Sequence, residues 1–316
     1  MRALNWNGRQ LNLDPAYPTP EADDLSSLLR VRFAGICSTD LQILRGYMGF
    51  RGVLGHELVG DVVEGPGELV GKRVVSEINF ACRRCEFCAQ GLDRHCRERR
   101  VMGILGADGS FAEYVAVPAE NLHPVPDGVS DEEAVFTEPL AAAFEILEQV
   151  EILPTDRVLV LGDGKLGMLC AQVLRLRSSR VRVVGKHPRK LEVLRRLGIA
   201  TVLLSDWRGG EADLVVEATG STVGLKLALE AVRPRGTVVL KSTVAESHSL
   251  SLAPLVINEV TVVGSRCGPF PPALEALNRK CVLVQPLIDR VYPLNDGQEA
   301  VRHAERPGAL KILLRP

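Results

Sequence analysis

The 316-residue chain is short of aromatic side chains, with 2 Trp, 4 Tyr and 8 Phe. So few rings provide no visible platform for a flat substrate. An excess of charge is also missing. The formal net charge is −1, from 38 Lys and Arg against 39 Asp and Glu, which gives no reason to expect nucleic acid or an anionic membrane as a partner. No apolar run approaches the ~20 residues needed to span a bilayer. The first residues, Met1-Arg2-Ala3-Leu4-Asn5-Trp6-Asn7, lack the apolar core of a signal peptide. There is no internal repeat and no low-complexity segment. Eight cysteines over this length do not read as a disulfide scaffold. Four of them are tightly clustered, which points to metal binding in a reducing cytoplasm. What is present is length for about two domains, at roughly 100–200 residues each, and 46% apolar residues to fill their cores.

The most informative stretch is Gly162-Asp163-Gly164-Lys165-Leu166-Gly167. It follows the apolar run Val158 to Leu161 and opens a helical pattern from Met168 to Leu176. A strand, a tight glycine turn and a helix start in this order suit a pyrophosphate. Gly162 permits the turn, Gly164 lets backbone approach the phosphates, and Gly167 lets helix pack on strand. The helix N-terminus adds free N–H groups and the positive end of its dipole. Gly162, Gly164, Lys165, Leu166 and Gly167 are therefore candidate dinucleotide contacts. The alternative is a glycine turn in an ordinary βαβ unit.

Residues 1–135 read as strand-rich, with β-branched runs at Arg30 to Phe33, Leu58 to Val63, Arg73 to Ser76 and Phe111 to Val117. Gly and Pro punctuate them. The spacing predicts a β domain without regular helices. Glu132 to Ile152 reads as a helix broken by Pro139. Strands and helices then alternate. Strands are expected at Arg157 to Leu161, Val181 to Val184, Thr201 to Leu204, Leu214 to Glu217, Gly236 to Leu240 and Val260 to Val263. Helices are expected at Leu166 to Arg177, Arg189 to Leu197 and Val223 to Val232. This alternation predicts an α/β fold with a doubly wound parallel sheet over 136–265 and helices on both faces. Residues 266–316 return to a mixed pattern and are expected to rejoin the first domain.

Cys82, Cys85, Cys88 and Cys96 are spaced so that one loop can bring four thiolates to one ion. Four thiolates close a tetrahedral shell, the pattern of a structural zinc site. The first spacings also resemble an iron–sulfur run, but that pattern needs its fourth Cys sooner and followed by Pro. Here Arg97 follows Cys96. Disulfide pairing is the other alternative, and a reducing compartment disfavours it. A second constellation is dispersed: Cys37 in Gly35-Ile36-Cys37-Ser38-Thr39-Asp40, His56-Glu57 after Gly55, and Glu138 in Thr137-Glu138-Pro139-Leu140. Cys, His, a carboxylate and water would form an open, catalytic zinc site. Spacing alone does not show that these residues converge.

Together these pieces resemble the medium-chain dehydrogenase/reductase superfamily, the zinc alcohol and polyol dehydrogenases. They occur in family order over nearly the whole chain. The Glu-Pro-Leu piece resembles the sorbitol, glucose and threonine dehydrogenase branches. The resemblance implies a GroES-like catalytic domain over 1–135 with a zinc lobe at about 80–100, a Rossmann domain over 136–265 and a return over 266–316. It implies two zinc ions per chain. Cys37 and His56 match catalytic zinc ligands and Glu138 the third ligand position. Glu57 matches the acidic residue beside the zinc, itself a ligand in some members. Thr39 matches the hydroxyl that bonds the substrate oxygen. The reaction implied is Lewis-acid activation of an alcohol or polyol, proton removal involving Thr39, and hydride transfer to the nicotinamide. Many members carry His where this chain has Gln42, so proton release must take another route. Ser205 to Glu211 replaces a usually longer helical connection. A homodimer or homotetramer is implied by the resemblance alone.

An NAD enzyme places Asp or Glu on the ribose 2′-hydroxyl, about twenty residues past the glycine turn. Here the strand ends Gly185-Lys186-His187-Pro188-Arg189. Gly185 would leave room for a 2′-phosphate, and Lys186, His187 or Arg189 could pair with it. This favours NADP over NAD. The alternative is a solvated helix start in an enzyme that uses NAD without the acidic contact. Tyr47, Phe50 and Phe270 are candidate substrate-wall residues, or else ordinary packing. A non-catalytic dinucleotide-binding sensor or interaction protein of the same fold is the competing function, and it has no need of an open metal site.

Overall fold

A computed structural model describes residues 1–243 and 249–316. The chain divides into one unit of Met1–Glu138 with Ile288–Pro316, and another of Pro139–Leu287. In the first, strands and short helices run β1 (Ala3–Trp6), β2 (Leu11–Asp14), β3 (Ser26–Ile36), α1 (Ser38–Ile43), β4 (Gly52–Val53), β5 (Leu58–Glu64), β6 (Arg73–Ser76), β7 (Asn79–Phe80), α2 (Glu86–Ala89), β8 (Arg100–Met102), β9 (Gly106–Ala107), β10 (Tyr114–Pro118), β11 (Leu122–Pro124) and α3 (Asp131–Ala134). The helix α4 (Thr137–Gln149) then leads into the second unit, with β12 (Val158–Leu161), α5 (Lys165–Arg175), β13 (Val181–Gly185), α6 (Pro188–Arg196), β14 (Ala200–Leu203), β15 (Ala212–Glu217), α7 (Gly224–Ala231), β16 (Val232–Leu240), α8 (Ala253–Ile257), β17 (Thr261–Gly264) and α9 (Phe270–Asn278). The first unit is completed by β18 (Ile288–Pro293), α10 (Gly297–Ala304) and β19 (Lys311–Arg315).

The first unit centres on β3, whose eleven residues pair with β5, β10 and β19 in a seven-stranded sheet. In its register Ala34 pairs with Leu58, and Ile36 with Ile312. Cys37 leaves the end of β3, His56 and Glu57 enter β5, and Lys311 begins β19, so all four meet at one end of the sheet. The expectation of a domain without regular helices over 1–135 is corrected by α1, α2 and α3. They are short, six residues in α1 and four in α2, too few to show a helical period in the sequence.

In the second unit the strand order is β14-β13-β12-β15-β16-β17, with every pairing parallel. The order reverses direction between β12 and β15. Right-handed crossovers on either side of that reversal place helices on opposite faces. All four residues of β12 are buried, as a sheet covered on both faces requires. Ser205 to Glu211 carries no helix, so β14 reaches β15 through a turn and an extended segment.

Two expected boundaries shift. The break in the helical pattern falls at Val135-Phe136, not at Pro139. The Ser130 side chain caps α3 by accepting from Glu133 N, and the Glu133 carboxylate accepts from Ser130 N in return. Pro139 lies in the first turn of α4, where a backbone N–H has no partner within the helix to lose. The return to the first unit also comes later than 266. Residues 266–287 stay with the parallel-sheet unit. There α9 buries Ala273, Leu274 and Leu277, and the Gln172 side chain of α5 clamps Leu283 through both its backbone N–H and carbonyl, at 2.8 and 3.1 Å.

Candidate metal and dinucleotide sites

The turn from β3 into α1 builds the first site. The backbone N–H of Cys37 donates to Asp40 Oδ2 at 2.7 Å. This closes the first turn of α1 and fixes where Cys37 Sγ points. Asp40 Oδ1 lies 3.2 Å from His56 Nδ1, with both side chains buried. Neither atom has a hydrogen-bond partner, so the carboxylate acts on the imidazole through its charge at close range. Burial alone would lower the His56 pKa. Asp40 and Cys37 outweigh it and hold the imidazole well above its ordinary value.

Cys37, His56 and Glu57 offer ligand atoms that all lie within 4.8 Å of one another. Glu57 Oε2 takes the ammonium of Lys311, and both side chains are fully buried. Glu57 Oε1 is buried without a hydrogen-bond partner. A carboxylate oxygen in that position is costly unless something cationic or a water meets it. The donor set of thiolate, imidazole and carboxylate, with one orphaned oxygen, fits zinc with an open position. Glu138, expected as the third ligand, is not in this cluster, and Glu57 stands in it instead. Glu138 lies half-buried in the first turn of α4. Thr39 Oγ1 lies 3.8 Å from Cys37 Sγ, beside the cluster. Gln42 is exposed on the same short helix as Thr39. Phe50 and Phe270 are buried and Tyr47 half-buried, so the two phenylalanines read as core packing.

Lys311 is the residue that sequence reasoning missed. Nothing in Leu310-Lys311-Ile312-Leu313-Leu314 marks it out, and only the β3–β19 register brings it to Glu57. Asp40 had a local signal, the Cys-x-x-Asp spacing of a reciprocal helix cap. Lys311→Met is expected to leave the Glu57 charge buried and unpaired, at a cost of about 3–5 kcal/mol. Denaturant unfolding measures this. A loss below about 1 kcal/mol would show that the pair is not a buried ion pair.

The second cluster is Cys82, Cys85, Cys88 and Cys96, whose sulfurs also lie within 4.8 Å of one another. The Cys85–Cys88 and Cys85–Cys96 sulfur separations are 3.5 and 3.8 Å. All four are free thiols. Arg83 adopts a left-handed φ of 59° between the first two cysteines. Its guanidinium ties the loop to Asp93 and Glu120. Cys82 N donates to Cys96 Sγ at 3.3 Å. Backbone N–H groups at Cys88, Arg97 and Phe87 pull the Cys85 thiol down to about 6, while burial and the neighbouring sulfurs push Cys88 up to about 12. A closed four-sulfur shell of this kind fits zinc.

The glycine turn forms as its spacing predicts. Gly162 has φ +118°, and a Cβ at Gly167 would collide with Gly162 O, so neither tolerates a side chain. Nothing lies within 4 Å of a Cβ built on Gly164, the residue that caps α5. That open ground beside the free N–H groups of Lys165 and Leu166 fits a pyrophosphate. One expectation is corrected. Gly185 does not leave empty room, because a Cβ there would meet Asp163 Cβ at 2.5 Å and Oδ2 at 2.6 Å. Asp163 occupies that ground and accepts the His187 backbone N–H at 2.6 Å. Lys186 and Arg189 are exposed nearby in sequence.

An open zinc-type cluster on a strand-rich unit and a dinucleotide turn on a doubly wound sheet define a metal- and nicotinamide-dependent dehydrogenase. Comparison with known proteins agrees. Residues 23–127 match the alcohol dehydrogenase GroES-like domain, and residues 166–279 match the zinc-binding dehydrogenase domain. A sorbitol dehydrogenase from Halalkalibacterium halodurans is 30% identical over 95% of this chain and 93% of its own length. A zinc-binding dehydrogenase from Sinorhizobium meliloti 1021, solved with NADP bound, is 26% identical, with a TM-score of 0.92, over 100% of this chain and 99% of its own. A short chain alcohol dehydrogenase from Escherichia coli CFT073, solved with NADH, is also 26% identical, with a TM-score of 0.90, over 100% and 99%. The chain belongs to the zinc-dependent medium-chain dehydrogenase/reductase superfamily, and it is an NAD(P)-linked oxidoreductase of that alcohol and polyol dehydrogenase class.

Proposed function

We propose that the protein oxidises a secondary hydroxyl of a small polyol, or reduces the matching ketone, with one catalytic and one structural zinc per chain. The observation that carries this is the convergence of Cys37, His56 and Glu57 with a buried, unpartnered Glu57 oxygen. The sorbitol dehydrogenase relative supports the polyol class. Zinc, when bound, polarises the alcohol oxygen as a Lewis acid. Cys37, His56 and Glu57 hold it, and Asp40 acts on His56 through its charge. Lys311 balances the second oxygen of Glu57. Thr39 presents a hydroxyl beside Cys37 and takes the substrate proton. Gln42 cannot titrate, so the proton leaves Thr39 through water or the ribose. The Gly162–Gly167 turn holds the pyrophosphate. NADP is the favoured dinucleotide, since Lys186 and Arg189 stand exposed after the end of β13, with the Asp163 carboxylate filling the ground beside Gly185 turned to His187.

The test pairs zinc analysis with a panel of alcohols, polyols and their carbonyl forms, each run with NADP and NAD. The expected result is about two zinc ions per chain and turnover of polyols, faster with NADP. One zinc and no turnover of any panel member would overturn the proposal.

The free edge of the six-stranded sheet supports assembly as a homodimer or homotetramer. No strand pairs with the outer side of β17 among the described residues, and three of its four residues are exposed. Beside it, Val256 and Ile257 of α8 are each 77% exposed. An unpaired edge with apolar neighbours suits a second copy of itself, antiparallel across a two-fold axis. Val256→Asp with Ile257→Asp is expected to give monomers in sedimentation velocity. An unchanged oligomer would place the interface elsewhere. Among the described residues no helix is long and apolar enough to cross a membrane. Eight free thiols, four in one cluster, support a reducing, cytoplasmic setting.

A further inference from the structure

Asp163 is the acidic residue of the glycine turn, and its side chain is 8% exposed. Its Oδ2 accepts the His187 backbone N–H at 2.6 Å, and its Oδ1 lies 3.0 Å from His187 Nδ1. Facing a carboxylate, Nδ1 carries the hydrogen. The His187 side chain is 39% exposed, and Nε2 is the ring nitrogen left for solvent or a ligand. A turn residue from before α5 thus reaches across to the end of β13 and fixes the imidazole that follows it.

The position of this pair is informative. In a doubly wound sheet the adenosine ribose is read at the end of the second strand in chain order, which here is β13. Residue 185 contributes no side chain. Both oxygens of Asp163 face donors on His187, so His187 is the side chain that this carboxylate orients. The group presented outward is the imidazole. We propose that Asp163 is a positioning residue that holds His187 so that Nε2 meets the 2′-phosphate of NADP, with Lys186 adding charge alongside. As the imidazolium, with Nδ1–H held on the carboxylate, His187 donates Nε2–H in a charge-assisted bond to a phosphate oxygen. This inference rests on NADP being the cofactor and names the residues that enforce it.

The test uses cofactor fragments and no turnover. Binding of 2′,5′-ADP and of 5′-ADP to the zinc-loaded protein is measured by calorimetry for wild type, His187→Ala and Asp163→Asn. Wild type is expected to bind 2′,5′-ADP more tightly. His187→Ala should cut that preference about tenfold. Asp163→Asn should cut it in the same direction, with 5′-ADP affinity held within about twofold, since a general structural loss would weaken both ligands alike. If wild type shows no preference for 2′,5′-ADP, the NADP reading itself fails. If the preference exists but neither variant changes it, that reading stands and the role of the Asp163–His187 pair is overturned. Tighter 2′,5′-ADP binding by Asp163→Asn also overturns it, because Asp163 would then be repelling the phosphate. His187 is partly exposed, so His187→Ala remains informative even if Asp163→Asn does not fold.

Discussion

Cys37→Ala and His56→Ala are each expected to reduce turnover by about a thousandfold or more, because a Lewis acid supplies several kcal/mol and each ~1.4 kcal/mol is a factor of ten. Zinc content should fall from about two ions per chain to about one. Circular dichroism and dinucleotide binding should remain near wild type, since the glycine turn belongs to the other unit and the four-cysteine loop is a separate cluster. Glu57→Gln and Glu138→Gln refine the result. Glu57 lies in the converging cluster and Glu138 does not, so Glu57→Gln should lose the catalytic ion while Glu138→Gln keeps both. The reverse pattern would make Glu138 the ligand and Glu57 a partner of Lys311 alone. Wild-type turnover in Cys37→Ala and His56→Ala together would dismiss the site.

Cys96→Ser is expected to have the largest effect on stability. Cys96 is the fully buried member of the four-cysteine cluster and accepts from Cys82 N. The lobe between β7 and β8 contributes little apolar core of its own. The Arg83 contacts with Asp93 and Glu120 tie it, and a bound ion would supply the rest of its order. Metal binding in such a loop is folding free energy, about 10–16 kcal/mol for isolated zinc-finger peptides at neutral pH. Only part of that applies here, because the flanking strands hold the loop ends. The expected outcome is loss of one zinc, a lower Tm, and cleavage of the lobe by trypsin at Arg83, Arg84, Arg94 or Arg97. Unchanged metal content and Tm would mean that the cluster does not bind the ion. Chelation of the wild type should reproduce the same cleavage pattern more slowly.

The doubly wound sheet was legible in the amino-acid sequence, because each strand and helix there is a local pattern whose period survives without its neighbours. The glycine turn was legible for the same reason: φ at Gly162 and the contact at Gly167 are set within six residues. The four-cysteine cluster was equally local, one loop carrying all four sulfurs. The open site is different. Cys37, His56 and Glu57 were visible as candidates, yet their convergence came only with the pairing of β3 to β5. Lys311 had no local signal at all, since its role is set by a β3–β19 register that joins residues far apart in the chain. The room expected beside Gly185 was read from the missing side chain there, and Asp163 filled it from a different loop. Local geometry can be inferred from backbone preferences over a few residues, whereas which charge meets which carboxylate depends on strand order and register, and these exist only once the whole sheet has formed.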